Sequence, residues 1–162
     1  MTTITNFQLL ANFNTWANTK IFSACKKLDS AEYKKDRRAF FSSIHGTLNH
    51  LLVVDRAYIA RIEGIDHGLK SLDQILFESL LQLEVARIKE DKRLIDLVNS
   101  LSEESIHKEI TYKGFETGET TYTIDILLIT LFNHQTHHRG QIHNMLSQSG
   151  VKPPQIDIPD FL

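Results

Sequence analysis

The chain has 162 residues, of which 41% are hydrophobic and 23% charged, and its formal charge at pH 7 is −2. This length suffices to bury one substantial core, so we expect a single domain over residues 1–162. The slightly acidic balance argues against a nucleic-acid partner, because such proteins usually carry a basic face. No apolar run approaches the roughly 20 residues of a membrane-spanning helix and no signal peptide follows Met1, so we expect no membrane partner and a cytoplasmic location.

Two long helices are predicted in the first half of the chain, where glycine and proline are scarce. The first covers residues 3–28, in which apolar residues recur three or four apart. It contains Cys25, the single cysteine, which we interpret as a buried core thiol. The second covers residues 36–64 and stops at Gly64, a residue type that readily takes the left-handed conformation at the end of a helix.

Two further helices are predicted in the second half. The third covers residues 71–101, because Ser71 followed by Gln74 three residues later matches a capping box. The fourth covers residues 123–150, and the β-forming residues before it (108–123) predict a short hairpin or an ordered loop. Together these elements predict an all-α fold, an up-and-down four-helix bundle with a short hairpin-like loop before the last helix.

Half of the eight histidines lie in one stretch of the fourth helix, NHQTHHRGQIHNML, residues 133–146. Since a helix advances about 100° per residue, His138 points about 35° and His134 about 75° from the centre of the apolar face. His137 and His143 point toward the polar side. The inward pair is four residues apart, so its imidazoles lie on adjacent turns and are close enough to share one ligand.

The second helix supplies one more inward histidine. His50 lies at the edge of the apolar face among small residues, whereas His45 lies on the polar side and is expected at the surface. A histidine pair at this spacing is a common metal clamp, and a third imidazole from another helix completes a site. We therefore predict a metal site of His50, His134 and His138. The alternative is a metal-free core network, in which the imidazoles bond to acids or hydroxyls or stay partly exposed.

Two charged residues also point into apolar faces, Asp55 on the second helix and Arg139 on the fourth. Buried charges are tolerated chiefly when they are paired. We predict that Asp55 either pairs with Arg139 or accepts a hydrogen bond from a ligand imidazole and so orients it. In the alternative, both side chains reach the end of the bundle and are solvated.

Three stretches of the chain resemble the DinB family of bacterial four-helix proteins: FNTWAN (13–18), FFSSIHGTLNHLLVVDRAYIARIEG (40–64) and LFNHQTHHRGQIHNMLSQSG (131–150). In that family one histidine of the second helix and two of the fourth bind a divalent metal ion, usually zinc or nickel. The resemblance implies that these ligands are His50, His134 and His138, the same three that helix direction selects. It also implies an unusual helix order and a homodimer.

The resemblance implies a function as well. Some members are transferases or isomerases that use low-molecular-weight thiols, and several are induced by DNA damage or stress. We therefore expect a metal-dependent transferase or hydrolase that acts on a small-molecule substrate, with such a thiol as cosubstrate. Three histidines leave at least one coordination position of a tetrahedral or octahedral ion open, which is typical of catalytic zinc sites. The alternatives are a non-catalytic metal-binding protein of the stress response and a metal-free dimeric interaction module.

Overall fold

A computed structural model of the chain, which describes residues 2–115 and 118–162, contains six helices and one two-stranded antiparallel sheet in those ranges. The elements, in chain order, are α1 (Thr3–Cys25), α2 (Ser30–Lys34), α3 (Ile44–Glu63), α4 (Leu80–Ser100), β1 (Glu109–Lys113), β2 (Glu119–Thr123), α5 (Ile124–Gln148) and α6 (Ile158–Phe161). A single 3-10 turn, Ser105–His107, precedes β1.

The four long helices form the predicted bundle. Helix α1 packs against α4 and α5, and α3 packs against the same two helices, so α1 and α3 occupy opposite corners. The first two long helices, α1 and α3, thus lie diagonally opposite in the bundle. This is the unusual helix order that the resemblance implied. The core has two apolar clusters, one around Phe22, Leu52 and Ile142 and the other around Ile59 and Leu131.

The second long helix begins at Ile44, eight residues later than predicted. The Ser43 hydroxyl accepts a hydrogen bond from the backbone N–H of Gly46 at 3.1 Å and caps the helix there. Before the cap, Ser42 has a φ of 62°, which breaks the helical path and turns Phe41 back toward α3. The other end of α3 is as predicted, because Gly64 follows it with a φ of 72°.

The prediction of a helix start at Ser71 is wrong, since α4 begins at Leu80. The capping-box residues are used locally: the Ser71 hydroxyl donates to Asp73 at 2.6 Å, and Gln74 accepts from the Lys70 amide at 3.0 Å. The segment that follows runs along α3, where a buried side chain, Asn49, accepts hydrogen bonds from the Leu76 and Phe77 amides at 2.9 and 3.0 Å. A long-range amide contact therefore replaces the local helical bonds.

The hairpin before the last helix is confirmed. Strands β1 and β2 pair from Glu109 with Thr123 to Lys113 with Glu119, and the residues at the tip, 116–117, lie outside the described part of the chain. Within the described residues, no helix combines the length and the hydropathy needed to cross a bilayer.

Candidate metal centre

The three histidines selected from the sequence lie together between α3 and α5. The Nε2 atoms of His50 and His134 are 3.0 Å apart. One ring nitrogen from each of His50, His134 and His138 lies within 4.8 Å of the other two, with His50 and His138 buried and His134 half-buried. The predicted cluster therefore exists in the fold, while its role as a metal-ligand set stays a prediction.

Hydrogen bonds on the outer ring nitrogens fix two of the three imidazoles. His50 Nδ1 lies 2.8 Å from the Leu72 carbonyl oxygen, which can only accept, so this nitrogen carries the proton. His138 Nδ1 donates to the Gln141 Oε1 atom at 2.8 Å, and the amide nitrogen of Gln141 in turn faces His137 at 3.1 Å. Both tautomers leave Nε2 with a free lone pair, which is the state that a metal ligand requires.

The imidazoles of the cluster are neutral at physiological pH. Burial lowers the pKa of His50 to about 4, against the opposing effect of the hydrogen bond to Leu72. Burial also lowers the pKa of His134 to about 3, and the imidazoles of His138, His50 and His137 lower it further. The pKa of His138 is lowered by burial as well. Metal binding therefore needs no deprotonation of these groups at neutral pH.

The spacing of His50 and His134 fits a divalent first-row ion. With metal–nitrogen bonds of about 2.0–2.1 Å, two ligand nitrogens of a tetrahedral or octahedral centre lie roughly 2.9–3.4 Å apart. The 3.0 Å between His50 and His134 falls in this range. In the described residues the group comprises three histidines without a cysteine or carboxylate. An all-nitrogen set is compatible with zinc and with nickel.

Phe41 covers one side of the cluster. Its ring stacks on His50 with 3.7 Å between ring centres and meets His138 edge-on at 5.6 Å. The turn that carries Phe41 approaches α3 so closely that a Cβ atom on Gly46 would lie 2.1 Å from the Phe41 carbonyl oxygen. Only glycine therefore fits at this position of α3.

A cleft opens on the other side of the cluster. It has a volume of about 300 Å³, and its lining includes His50, His134, Arg61 and the rings of Tyr58 and Tyr112. This volume is at the lower end of the range of small-molecule sites. Phe41 thus covers His50 and His138, and a small ligand in the cleft can reach His50 and His134.

Asp55 and Arg139 are both buried, at 0% and 3% exposure, so the alternative that they reach solvent is wrong. The predicted direct pair is wrong too, because Asp55 pairs with Arg87 of α4 at 2.8 Å and accepts from the Gln135 amide at 2.5 Å. Arg139 donates to Gln135 at 3.3 Å and to the Asn14 side chain. Projections of α3 and α5 alone could not show a partner on α4.

The other predicted role of Asp55 is also not observed. The outer nitrogens of His50 and His138 bond to Leu72 and Gln141, and the contacts of Asp55 with described residues are to Arg87 and Gln135. Burial raises the pKa of Asp55 to about 6, and the Arg87 guanidinium acts in the opposite direction. The Asp55 carboxylate therefore balances the charge of the buried Arg87 guanidinium in the core.

His45 was predicted at the surface, but it is 7% exposed. Its Nδ1 atom lies 3.2 Å from the Tyr33 hydroxyl, and its Nε2 atom is 3.7 Å from Glu78. The short helix α2 and the chain before α4 cover this face of α3, which a four-helix projection leaves open to solvent. Phe41 was also missed as a neighbour of the cluster.

Comparisons with known proteins identify relatives of this chain. The family model described as DinB family matches residues 1–162. Protein DinB of Bacillus subtilis (strain 168) is 31% identical over 162 residues, with 94% of this chain and 91% of that protein covered. The uncharacterized protein YizA of the same organism is 27% identical over 131 residues, which cover 80% of this chain and 79% of YizA.

The fold has a solved counterpart as well. The crystal structure of a DinB-like protein from Bacillus cereus ATCC 10987 superposes with a TM-score of 0.64 at 19% identity, covering 88% of this chain and 92% of that one. At this identity the likeness concerns the fold alone. The family match over all 162 residues and the relative at 31% identity lead to one conclusion: the chain belongs to the DinB family.

Proposed function

We propose that this protein is a metal-dependent enzyme, a transferase or hydrolase, in which His50, His134 and His138 hold a divalent ion, zinc or nickel. The observation that carries the proposal is the convergence of three neutral imidazoles, two of which, His50 and His134, line an open cleft. A bound ion supplies a Lewis acid, which favours the ionised form of a coordinated water or thiol near neutral pH. A low-molecular-weight thiol is the cosubstrate that we propose.

The surrounding residues prepare the site for this chemistry. The Leu72 carbonyl and the Gln141 amide hold two imidazoles with Nε2 toward the common centre. Phe41 excludes water from one side, and the cleft admits the substrate from the other. Burial raises the pKa of Tyr58, which lines the cleft, so its hydroxyl keeps its proton and can donate a hydrogen bond to the substrate.

Elemental analysis of the untagged protein tests the metal site. We expect stoichiometric zinc or nickel in the wild-type protein and its loss in His134→Ala and His138→Ala. His143→Ala is the matched control, because His143 is exposed on the same helix and lies outside the cluster. Unchanged metal content in a variant without all three cluster histidines would refute the site.

Turnover tests the enzymatic part of the proposal. The metal-loaded protein is assayed with a panel of low-molecular-weight thiols, each combined with epoxide, halide and ester electrophiles. We expect activity that disappears in His138→Ala and persists in His143→Ala. Stoichiometric metal without turnover on a broad panel would favour a non-catalytic metal-binding protein of the stress response.

The homodimer stays a prediction, and sedimentation equilibrium of the untagged chain tests it.

A further inference from the structure

We propose that Arg61 binds a carboxylate group of the substrate at the far end of the cleft that begins at His50 and His134. This inference rests on the proposed function, because it assigns the substrate class of that same site. The substrate is then an elongated small molecule, with the reacting group near the histidines and a carboxylate at the opposite end.

The shape of the cleft supports an elongated ligand. His50, Val54, Ala57 and Arg61 line it and follow each other along α3 at spacings of four, three and four, so they form one stripe of the helix. At 1.5 Å per residue, the Cα atoms of His50 and Arg61 are roughly 16 Å apart. Between these two long side chains, the short Val54 and Ala57 leave the floor of the cleft open.

The guanidinium of Arg61 is held by aromatic rings. Its Cζ atom lies 4.1 Å from the ring centre of Tyr112, 5.2 Å from that of Tyr58 and 5.7 Å from that of Phe115. Ring faces at these distances attract a cation and keep it in place. They accept no strong hydrogen bond from its N–H groups, so the donors of the guanidinium remain available.

No carboxylate of the described residues balances the charge of Arg61, whereas most arginines of the chain are paired. Each of four other arginines forms an ion pair with a carboxylate: Arg37, Arg56, Arg87 and Arg93. The carboxylates in the described ranges 2–115 and 118–162 form no ion pair with Arg61, and its buried Nε atom has no hydrogen-bond partner there. An anion from outside the chain would satisfy both the charge and this donor.

The cleft favours a carboxylate over a phosphate. Arg61 is the one arginine or lysine among the described residues that line it. A single planar guanidinium matches a singly charged carboxylate in a two-bond, side-by-side geometry. A doubly charged phosphate would leave excess charge in a cleft with aromatic walls.

The first experiment uses the metal-free protein and two matched probes, glutarate and its uncharged analogue glutaramide. We expect glutarate to shift the Arg61 Nε–Hε signal in NMR spectra and to bind at least about tenfold more tightly than glutaramide, as for a charge-assisted pair. Arg61→Met should abolish this preference. The matched control is Arg56→Met, which makes the same charge change on the same helix but removes an arginine that pairs with Glu90.

The conservative variant Arg61→Lys separates binding from folding. Lysine keeps the positive charge but lacks the planar guanidinium that forms two parallel hydrogen bonds with a carboxylate. We therefore expect intermediate glutarate affinity in a protein with wild-type thermal stability. Equal glutarate affinity in the wild type, Arg61→Met and Arg61→Lys would overturn the proposal.

Glu116 follows Phe115 in sequence and lies outside the described residues, so Glu116→Gln is included. A tenfold gain in glutarate affinity in this variant would show that Glu116 occupies Arg61 and would also overturn it.

The second experiment links Arg61 to the metal site. In the zinc-loaded protein, 6-mercaptohexanoate is compared with 6-mercaptohexanol, which differs only in its uncharged end. We expect a preference of about tenfold for the acid in the wild type and in Arg56→Met, and none in Arg61→Met. A protein that takes up neither zinc nor nickel would refute the proposed function, whereas the metal-free experiment would still decide the role of Arg61.

Discussion

Replacing Gly46 with alanine is expected to destabilise the fold and to disturb the histidine cluster in one step. A Cβ atom on Gly46 would lie 2.1 Å from the Phe41 carbonyl oxygen and 3.2 Å from its carbonyl carbon. Real Cβ contacts essentially never fall below 3.0 Å, so the turn or the helix must move by about 1 Å. The obstacle is backbone, which cannot rotate away as a flexible side chain can.

The size of the effect follows from two opposing contributions. Inserting a methyl group into a packed region typically costs about 1–3 kcal/mol, and a clash with backbone lies toward the upper end of that range. Alanine regains up to about 1 kcal/mol over glycine through its helix propensity. We therefore expect Gly46→Ala to lower the free energy of unfolding by about 2 kcal/mol.

Urea unfolding followed by circular dichroism measures this change, with Gly140→Ala as the control. Gly140 is also inside a helix, but a Cβ atom there would meet nothing within 4 Å, so this variant should gain about 0.5–1 kcal/mol. Because Phe41 stacks on His50, Gly46→Ala should also weaken zinc binding, whereas Gly140→Ala should not. Equal stability of the two variants would refute the reasoning from the contact with Phe41.

Three further changes test the site and its support. Asp55→Asn removes one of the two carboxylates that pair with the buried Arg87 guanidinium and leaves the pair with Asp91 at 3.0 Å, so the free energy of unfolding should fall by about 1–3 kcal/mol in urea; an unchanged free energy of unfolding would contradict the pair with Asp55. Gln141→Ala removes the group that orients the third imidazole, so competition with a chelator should show zinc affinity about 10–100-fold lower and nearly unchanged stability. Finally, the metal-free protein should lose stability as the pH falls from 6.5 toward 4: in the unfolded chain His50 and His134 take up protons near 6.5, and in the folded chain only near 4 and 3. Equal urea midpoints at pH 7 and pH 5 would contradict this assignment.

The four long helices and the inward direction of each cluster histidine were predictable, because each follows from the periodicity of a single helix. The spacing of four between His134 and His138 places them on one face of any regular helix, whatever packs against it. His50 could be selected because a three-residue site from two helices needs one more inward imidazole. The end of α3 at Gly64 followed in the same way, from a conformational preference of a single residue.

The errors arose where a distant part of the chain decides the local structure. Ser71 and Gln74 satisfy the pattern of a helix start, but the following segment is held in an extended path by the Asn49 side chain on α3. His45 lies on the polar side of α3, yet α2 and the chain near Glu78 cover it. Such contacts join residues 12 to 33 positions apart, and hydrophobic periodicity carries no information about them.

The misassigned pairing of Asp55 reveals how the cluster is positioned. Gln135 follows His134 directly, and its amide bonds to Asp55, which lies five residues after His50 on α3. One residue of α5 therefore faces the core network while its neighbour faces His50, and both contacts join the same two helices. Because Asp55 is also fixed by Arg87 of α4, the rotation of α5 against α3 is determined from the core side. The buried charges thus hold the imidazoles of His50 and His134 at 3.0 Å, although none of them touches the cluster.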